Sequence, residues 1–483
     1  MIEKPTILIG LPANPVSTNC ACPDSGVDLF SFERSHGTDW CVPAGMYRAP
    51  LPNDHELIFN SLFSSSIAVI NSTAASLLDV FQSPQLLTAP VNIEGLVPAD
   101  VHSAIDQFIQ LGLLQPVGMQ PRSPSKTPHT LTAWLHVTNQ CNLRCRYCYI
   151  EKDEEAMTEE IGLTAVDAIF RTALQSGLKS VKLKYAGGES SLNFGLIRQL
   201  HAHAVGLSQP SHVGLHEVVL SNGIAITSAM LDFMRESDIH LMISLDGIGA
   251  AHDDQRPFVN GRGSFQHVVR GIERAIRLGL HPDISITVTP HNADQLWQVV
   301  AFVLDHDLRF NLNFQRDTGC ETSESVFLQQ EQRIVAGVRA ALDVVAERLP
   351  SYRLIDGLMD RSSFHAPHDI ACGAGHNYLV VDQHGGISRC QMEIEQPLTN
   401  VWASDILQPI RLHSHGFQNV AATDKDGCRD CTWRYWCAGG CPKLTHAATG
   451  RSDVRSPYCD IYTAIYPAIL QLEGLRLLKW STG

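Results

Sequence analysis

The sequence predicts an α/β chain: an open parallel array of six strand–helix units, a small module before it and a cysteine-rich segment after it. Three observations predict this. Apolar strand-like runs alternate with helical patterns between Leu131 and Phe314. Six such units are too few to close an eight-unit barrel. The cysteines gather at 141–148 and again at 372–459, at metal-ligand spacing that packing alone does not explain.

In chain order, residues 1–40 lack periodicity and are rich in Pro, Ser, Asp and Asn, so an irregular arm is expected. It carries a CxC pair, Cys20 and Cys22, read either as unligated thiols or as spare ligands. Residues 41–120 read as a compact module. Within it, DHELIFN and SSIAVIN read as a β-hairpin. Asn71 is placed to cap a helix over Ala74–Phe81. Pro98 opens a second helix, Ala99–Gly112, with Val101, Ile105, Phe108 and Ile109 on one face. Leu113 and Leu114 close the unit, and residues 121–130 are a linker by composition.

The central region, 131–350, has strand candidates Thr132–Val137, Ser180–Tyr185, Glu217–Leu220, His240–Leu245, Asp283–Thr289 and Arg309–Phe314. Helical patterns lie between them, among them Leu163–Leu174, Phe265–Leu278 and Asp294–Leu304. The last region, 351–483, opens with Cys372 and a hairpin pattern, Asn377 to Ser388, leading to Cys390.

The 483 residues suffice for two or three domains, and 44% hydrophobic with 18% charged content is ordinary for a globular chain. A formal charge of −14 argues against a nucleic-acid partner. No apolar run reaches membrane-span length, and the N-terminus shows no signal-peptide pattern. Fourteen cysteines without an export signal point to metal or redox chemistry in a reducing cytoplasm.

Cys141, Cys145 and Cys148 form a CxxxCxxC loop directly after the first strand. Three thiolates at this spacing suit three irons of a cubane cluster and leave the fourth iron open to a small molecule, unlike closed four-cysteine sets. A zinc loop or chance spacing is the alternative. After the second strand, Gly187, Gly188 and Glu189 offer close backbone approach and an acid for an ammonium group. Ser221-Asn222-Gly223, Ser244-Leu-Asp-Gly247, His252-Asp-Asp-Gln-Arg256 and Asn260-Gly-Arg-Gly-Ser-Phe265 follow the next strands. Arg256 suits a carboxylate; Asp246 reads equally as a turn or cap residue. Cys428, Cys431, Cys437 and Cys441 form Cx2Cx5Cx3C, followed by Cys459. A zinc ribbon is the alternative for these four.

Together these segments resemble radical S-adenosylmethionine (SAM) enzymes that carry a C-terminal SPASM domain, in the group that modifies ribosomally made peptides. The resemblance covers residues 131 to about 465. It implies a partial (β/α)6 radical SAM barrel, with a winged-helix-like N-terminal domain that would hold a leader peptide as an added strand. A structural cap is the other reading of that domain. It implies a 4Fe–4S cluster on Cys141, Cys145 and Cys148, chelated by SAM. Tyr147, Gly187, Gly188, Glu189, Ser221, Asn222, Ser244 and Arg256 would then be the SAM contacts. Two auxiliary clusters would follow, an inner one on Cys372, Cys390 and Cys441 and an outer one on Cys428, Cys431, Cys437 and Cys459.

Three positions depart from the family pattern. Ser190 replaces a Pro. Tyr378 stands where fully ligated members have a further cysteine, so the inner cluster is expected to have an open iron or a non-cysteine ligand. Gln391 replaces the catalytic Asp of sulfatase-maturing members, and an amide takes no proton at neutral pH; Glu393 and Glu395 lie nearby. The expected activity is an oxidoreductase-type peptide maturase. Its 5′-deoxyadenosyl radical abstracts hydrogen from a precursor peptide and leads to a thioether or carbon–carbon crosslink. Other radical modifications (epimerisation, decarboxylation, serine or cysteine oxidation) and a non-catalytic iron–sulfur scaffold are the alternatives. The expected partners are the precursor peptide and a flavodoxin or ferredoxin. Cys320 reads as a buried thiol or a substrate-radical partner.

Overall fold

The computed structural model describes residues 3–10, 38–62, 67–87, 93, 95–119, 124, 128–316, 330–355, 357–360 and 362–481. Cys20, Cys22 and Cys320 lie outside the described residues.

The N-terminal module is built on four antiparallel strands in the order β1-β5-β4-β3: β1 Ile7–Gly10, β3 Met46–Leu51, β4 His55–Asn60 and β5 Ile67–Asn71. A small second sheet sets β2, Asp39–Cys41, between β6, Gln85–Leu86, and β7, Gln115–Pro116. These three short strands, and two in the first sheet, depart from expectation. The arm is not irregular throughout, because Ile7–Gly10 pairs with Ile67–Ile70. Four residues are too few to show alternation, and only the neighbour strand makes them a strand. Met46–Leu51 pairs with β4 around Asn53 and Asp54, both left-handed. Its Pro50 argues against a strand by sequence, yet β3 is an edge, where a missing N–H costs little. Asn71 caps the helix Ser72–Asp79, its Oδ1 accepting from Ala74 N at 3.0 Å. The second helix is Pro98–Gln110.

The two faces of this sheet are buried differently. Ile58, Ala68 and Ile70 join Trp40, Phe81 and Phe108 in the module's own core. Leu57, Phe59, Ile67 and Val69 belong to the main core. The C-terminal helix Cys459–Trp480 closes that second face, with Gly474 against Leu51 and Leu57. The module is therefore sandwiched between its own helices and the chain's last helix.

The central sheet has nine strands in the order β13-β12-β11-β10-β9-β8-β14-β15-β16. β8 Thr130–Thr138, β9 Ser180–Gly187, β10 Gly214–Ser221, β11 His240–Ser244, β12 Asp283–Val288 and β13 Phe310–Phe314 are parallel in sequence order. Helices cross between them, including Glu159–Gln175, Phe194–Ser211, Phe265–Arg277 and Leu296–Asp305. Both faces of β8 are buried, so Thr130, Thr132, His136 and Thr138 are covered along with Leu131, Ala133, Leu135 and Val137. The cysteine-rich region does not begin as a separate layer. β14, Tyr378–Val381, pairs parallel with β8, and β15 Gly386–Ser388 and β16 Thr399–Asn400 continue the sheet antiparallel. No helix among the described residues is long and apolar enough to cross a membrane.

Trp436 joins these parts. It stacks on Phe364 with centroids 5.5 Å apart, lies 4.9 Å from Phe59, and its Nε1 donates to Ser61 O at 2.7 Å. Trp436→Ala is expected to cost about 3–5 kcal/mol through the cavity and lost contacts. Urea unfolding of wild type and variant measures this; a loss well under ~1 kcal/mol would show that Trp436 does not join the parts.

Candidate active site

The site lies where the parallel strands end. β8 runs into the cysteine loop, which is pinned on two sides. Asn139 N donates to Glu155 O (2.8 Å) and Met157 N to Val137 O (3.0 Å). Arg144 N donates to Pro257 O (2.8 Å) and Arg146 N to Gln255 O (3.0 Å). The Gly187-Gly188 pair presses on the start of this loop. A Cβ on Gly187 would fall on the carbonyl of Thr138, and one on Gly188 on those of Asn139 and Gln140. Gly188 N and Glu189 N donate to Thr138 O (2.7 Å) and Gln140 O (2.8 Å). Only glycine permits this contact.

Glu189 is buried, and its carboxylate accepts from Ser191 Oγ (2.6 Å), Ser221 Oγ (2.6 Å) and Asn222 N (2.7 Å). Asn222 Nδ2 donates to Asn142 Oδ1 at 2.7 Å, tying the third strand end to the cysteine loop. Ser190, the departure from Pro, donates its Oγ to Leu220 O at 2.6 Å and so links two strand ends itself.

Asp246 is fully buried and is more than a turn residue. It accepts from Tyr147 Oη, from Arg256 (3.3 Å) and from Thr287 N (2.8 Å). Arg256 also donates to Tyr147 Oη at 2.6 Å. The expected carboxylate partner therefore already has a carboxylate, because a buried Asp needs a counter-charge. His252 packs behind this group and accepts from Asp246 N at 3.3 Å; burial, with the Arg256 charge, pushes its pKa down to about 4. Burial drives the Tyr147 phenol well above its usual range.

One cavity of about 330 Å³ gathers these groups. Every expected SAM contact lines it: Tyr147, Gly187, Gly188, Glu189, Ser221, Asn222, Ser244 and Arg256. So do Cys141, Cys145 and Cys148. Burial pushes the thiols of Cys141 and Cys145 up, and Lys152 Nζ donates to Cys148 Sγ at 2.9 Å.

Tyr149, Arg316, Asp360, Tyr378 and Gln391 also line the cavity, and sequence reading did not bring them together. Tyr378 Oη donates to Gln391 Oε1 at 2.9 Å. Arg316 binds both Asp360 oxygens, at 2.6 and 2.5 Å. Position 378 stood out by sequence as a missing cysteine; Asp360 lies in no motif. Glu393 is held by Arg389 (2.9 Å) and Lys443 (2.8 Å), and Glu395 is exposed.

Among the described residues every cysteine is unbridged, and no three His, Cys, Asp or Glu side chains close into metal-ligating geometry. The C-terminal thiols are nonetheless grouped. The Cys428 thiol feels Cys459 and Cys431, and that of Cys437 feels Cys428 and Cys431. Burial foremost pushes Cys428, Cys437 and Cys459 up to about 11. The buried Lys425 ammonium donates to Ala438 O at 3.0 Å and feels Cys428, Cys437, Cys372 and Cys441. Buried thiolates need a positive partner, which an iron centre supplies. The cavity fits SAM too: Glu189 suits an ammonium group, and the buried Arg256 Nε, which has no acceptor, suits a carboxylate.

Residues 135–303 match the model of the radical SAM superfamily, so the chain carries a radical SAM domain. That family uses a 4Fe–4S cluster and SAM. The chain's similarity is to the SPASM-type peptide- and protein-modifying branch. It is 25% identical over 398 residues to a serine-type anaerobic sulfatase-maturating enzyme of Klebsiella aerogenes, covering 75% of this chain and 91% of that one. It is 24% identical over 313 residues to the sporulation killing factor maturation protein SkfB of Bacillus subtilis, covering 62% and 70%. It is 28% identical over 171 residues to protein MJ0907 of Methanocaldococcus jannaschii, spanning only 57% of that protein's length. The solved structure of native anSMEcpe with bound AdoMet shares the fold, with TM-score 0.58 at 18% identity over 72% of this chain and 99% of that one.

Two outcomes follow. Glu189→Gln should weaken SAM binding by about tenfold or more while iron content stays unchanged, since a charge-assisted contact is lost. Isothermal titration with SAM and an iron assay measure the pair, and unaltered affinity would remove the role. Thiols at about 11 are protonated at neutral pH and must lose that proton to bind iron. Iron retained against a chelator after anaerobic reconstitution should therefore rise from pH ~7 to ~9. A flat profile would contradict the ligand assignment.

Proposed function

We propose that this chain is a radical SAM maturase that forms a thioether or carbon–carbon crosslink within a ribosomally made precursor peptide. The observation that carries the reading is the single cavity shared by the cysteine loop, the strand-end polar groups, and Tyr378 and Gln391 from the C-terminal third. When bound, the 4Fe–4S cluster and SAM supply a 5′-deoxyadenosyl radical able to take hydrogen from an unactivated carbon.

The chain's own residues bind, orient and shield. Cys141, Cys145 and Cys148 would hold the cluster. Glu189 would receive the SAM ammonium, Arg256 its carboxylate, and Tyr147, Ser221, Asn222 and Ser244 would border the rest. Cys372, Cys390 and Cys441 would hold an inner auxiliary cluster, and Cys428, Cys431, Cys437 and Cys459 an outer one. Tyr378 donates its hydroxyl to Gln391; an inner cluster on three thiols would keep one iron open to a substrate thiol.

The side of the cavity near Cys390 is poor in proton acceptors. Gln391 is an amide already bonded to Tyr378, and Asp360 is held by Arg316. That disfavours a base-dependent oxidation to an aldehyde and suits bond formation within the substrate. The module at 41–120, with its own core, is the proposed seat of the leader peptide. The rest of the proposed division is a linker at 121–130, the barrel at 131–350 and the SPASM region at 351–483. A flavodoxin or ferredoxin in the cytoplasm is the proposed electron source.

The test is the mass of a candidate peptide, encoded beside this gene, after anaerobic incubation with enzyme, SAM and reductant. Loss of two hydrogens, with the new bond located by fragmentation, is expected. An unchanged mass carrying one deuterium from heavy water, or loss of a carboxyl group, would replace crosslinking by epimerisation or decarboxylation.

A further inference from the structure

A second cavity, about 770 Å³, lies beside the first. It opens between the segment after the cysteine loop and the β14–β16 ribbon, and Ile150 lines both cavities. Five carboxylates line it, Glu151, Asp153, Glu155, Asp382 and Glu395, and none of its lining residues is Lys or Arg. Glu155 accepts from Gln383 Nε2 (2.8 Å) and His384 Nε2 (2.9 Å). Asp382 accepts from the backbone N–H groups of His384 and Gly386, both at 2.8 Å. The amide donors on Asp382, and Gln383 on Glu155, fix these carboxylates without cancelling their charge, and among the described residues the His384 imidazole is the one ionisable partner, on Glu155. Glu151 and Glu395 form no ion pair among the described residues, and both are exposed.

A second observation is independent of the carboxylates. His136 lines this cavity, yet its side chain is 1% exposed. Asp153 accepts from Asn139 Nδ2 at 2.9 Å, which turns Asn139 Oδ1 toward His136 Nε2 at 2.6 Å. Nε2 must then carry the ring proton, so Nδ1 is a bare acceptor. Nδ1 is buried and has no hydrogen-bond partner. Burial foremost lowers the His136 pKa, with the nearby Lys152 charge adding to it against Asp382 and Asp153. The cavity thus offers negative charge and an unmet acceptor, and both call for a cationic N–H donor.

We propose that this cavity binds the side chain of a Lys or Arg residue adjacent to the modified position of the substrate peptide. The cation meets the carboxylates and an N–H reaches His136 Nδ1. The aliphatic stem lies along Ile150, Leu398 and the exposed Trp402 ring, which also attracts a cation. Because Ile150 is a shared wall, neighbouring residues of one peptide occupy both cavities. The proposal rests on the peptide-maturase reading and narrows its substrate to peptides with a basic residue beside the reacting one.

The test uses the full chain without reductant. The probe is a fluorescein-labelled Gly-Gly-Arg-Gly-Gly peptide, with citrulline replacing Arg in the control. Fluorescence anisotropy should show the Arg probe binding about tenfold tighter than the citrulline probe, a difference of ~1.4 kcal/mol. The double variant Glu151→Gln/Glu395→Gln, altered only at exposed positions, should lose most of that preference. Equal affinity for the two probes, or an undiminished preference in the variant, would overturn the proposal. Displacement of the Arg probe by manganese alone at lower concentration would overturn it in favour of a divalent-cation site. Binding is read without SAM or turnover. A peptide whose mass never changes, with the Arg preference intact, would therefore remove the crosslinking reading and leave this site standing.

Discussion

The contact on which the site depends is between two backbones. Gly187 and Gly188 lie so close to Thr138, Asn139 and Gln140 that no side chain fits between. This contact fixes where the cysteine loop leaves β8 and, one residue later, where the Glu189 carboxylate sits. Two hydrogen bonds across the contact, from Gly188 N and Glu189 N, set the register. Loop and acid belong to different strand–helix units, so their relative position would otherwise vary with every shift of the intervening helix. A direct backbone clamp removes that freedom, and such rigidity is what a site must supply before chemistry begins.

Around the clamp, the burial of charge organises the rest. Asp246 has no exposure and would be costly alone. Arg256, Tyr147 and Thr287 N satisfy it, and through Tyr147 the group reaches into the cysteine loop itself. Lys425 has the same part in the C-terminal third, as the one buried ammonium among the described thiols there. In both places the sign of the buried charge suits what stands beside it: a cation beside thiols, and an anion holding the cation that faces the cavity.

Much of this was legible in the sequence, and the parts that were not share a cause. The six central strands each showed an apolar run long enough to read, and CxxxCxxC and GGE stood at predictable strand ends. Ile7–Gly10 and Met46–Leu51 were missed because short or Pro-bearing edge strands draw their structure from neighbours. Arg256 was legible as a functional cation, but not its pairing with Asp246, because burial cannot be read from a turn-like Ser-Leu-Asp-Gly. Tyr378 was visible as a departure. That its hydroxyl goes to Gln391 required the β14 register, which no local pattern contains.

That register has a consequence for the whole chain. β14 follows Cys372 and leads through the turn at Gly385 to β15, which ends just before Cys390. Because β14 pairs with β8 from Tyr378 opposite Thr132 to Val381 opposite Leu135, Cys372 and Cys390, which flank this ribbon, are placed by the same hydrogen-bonded ladder that ends in the cysteine loop. Docking through side chains alone would leave that spacing soft, whereas a shared sheet makes it as stiff as the parallel strands themselves. Tyr149 shows the result: lining the cavity, it feels both Cys148 of the loop and Cys390 of the C-terminal third. One continuous sheet thus holds the strand-end polar groups and the cysteine-rich third at a fixed spacing around one cavity, which Tyr149, Tyr378 and Gln391 line together.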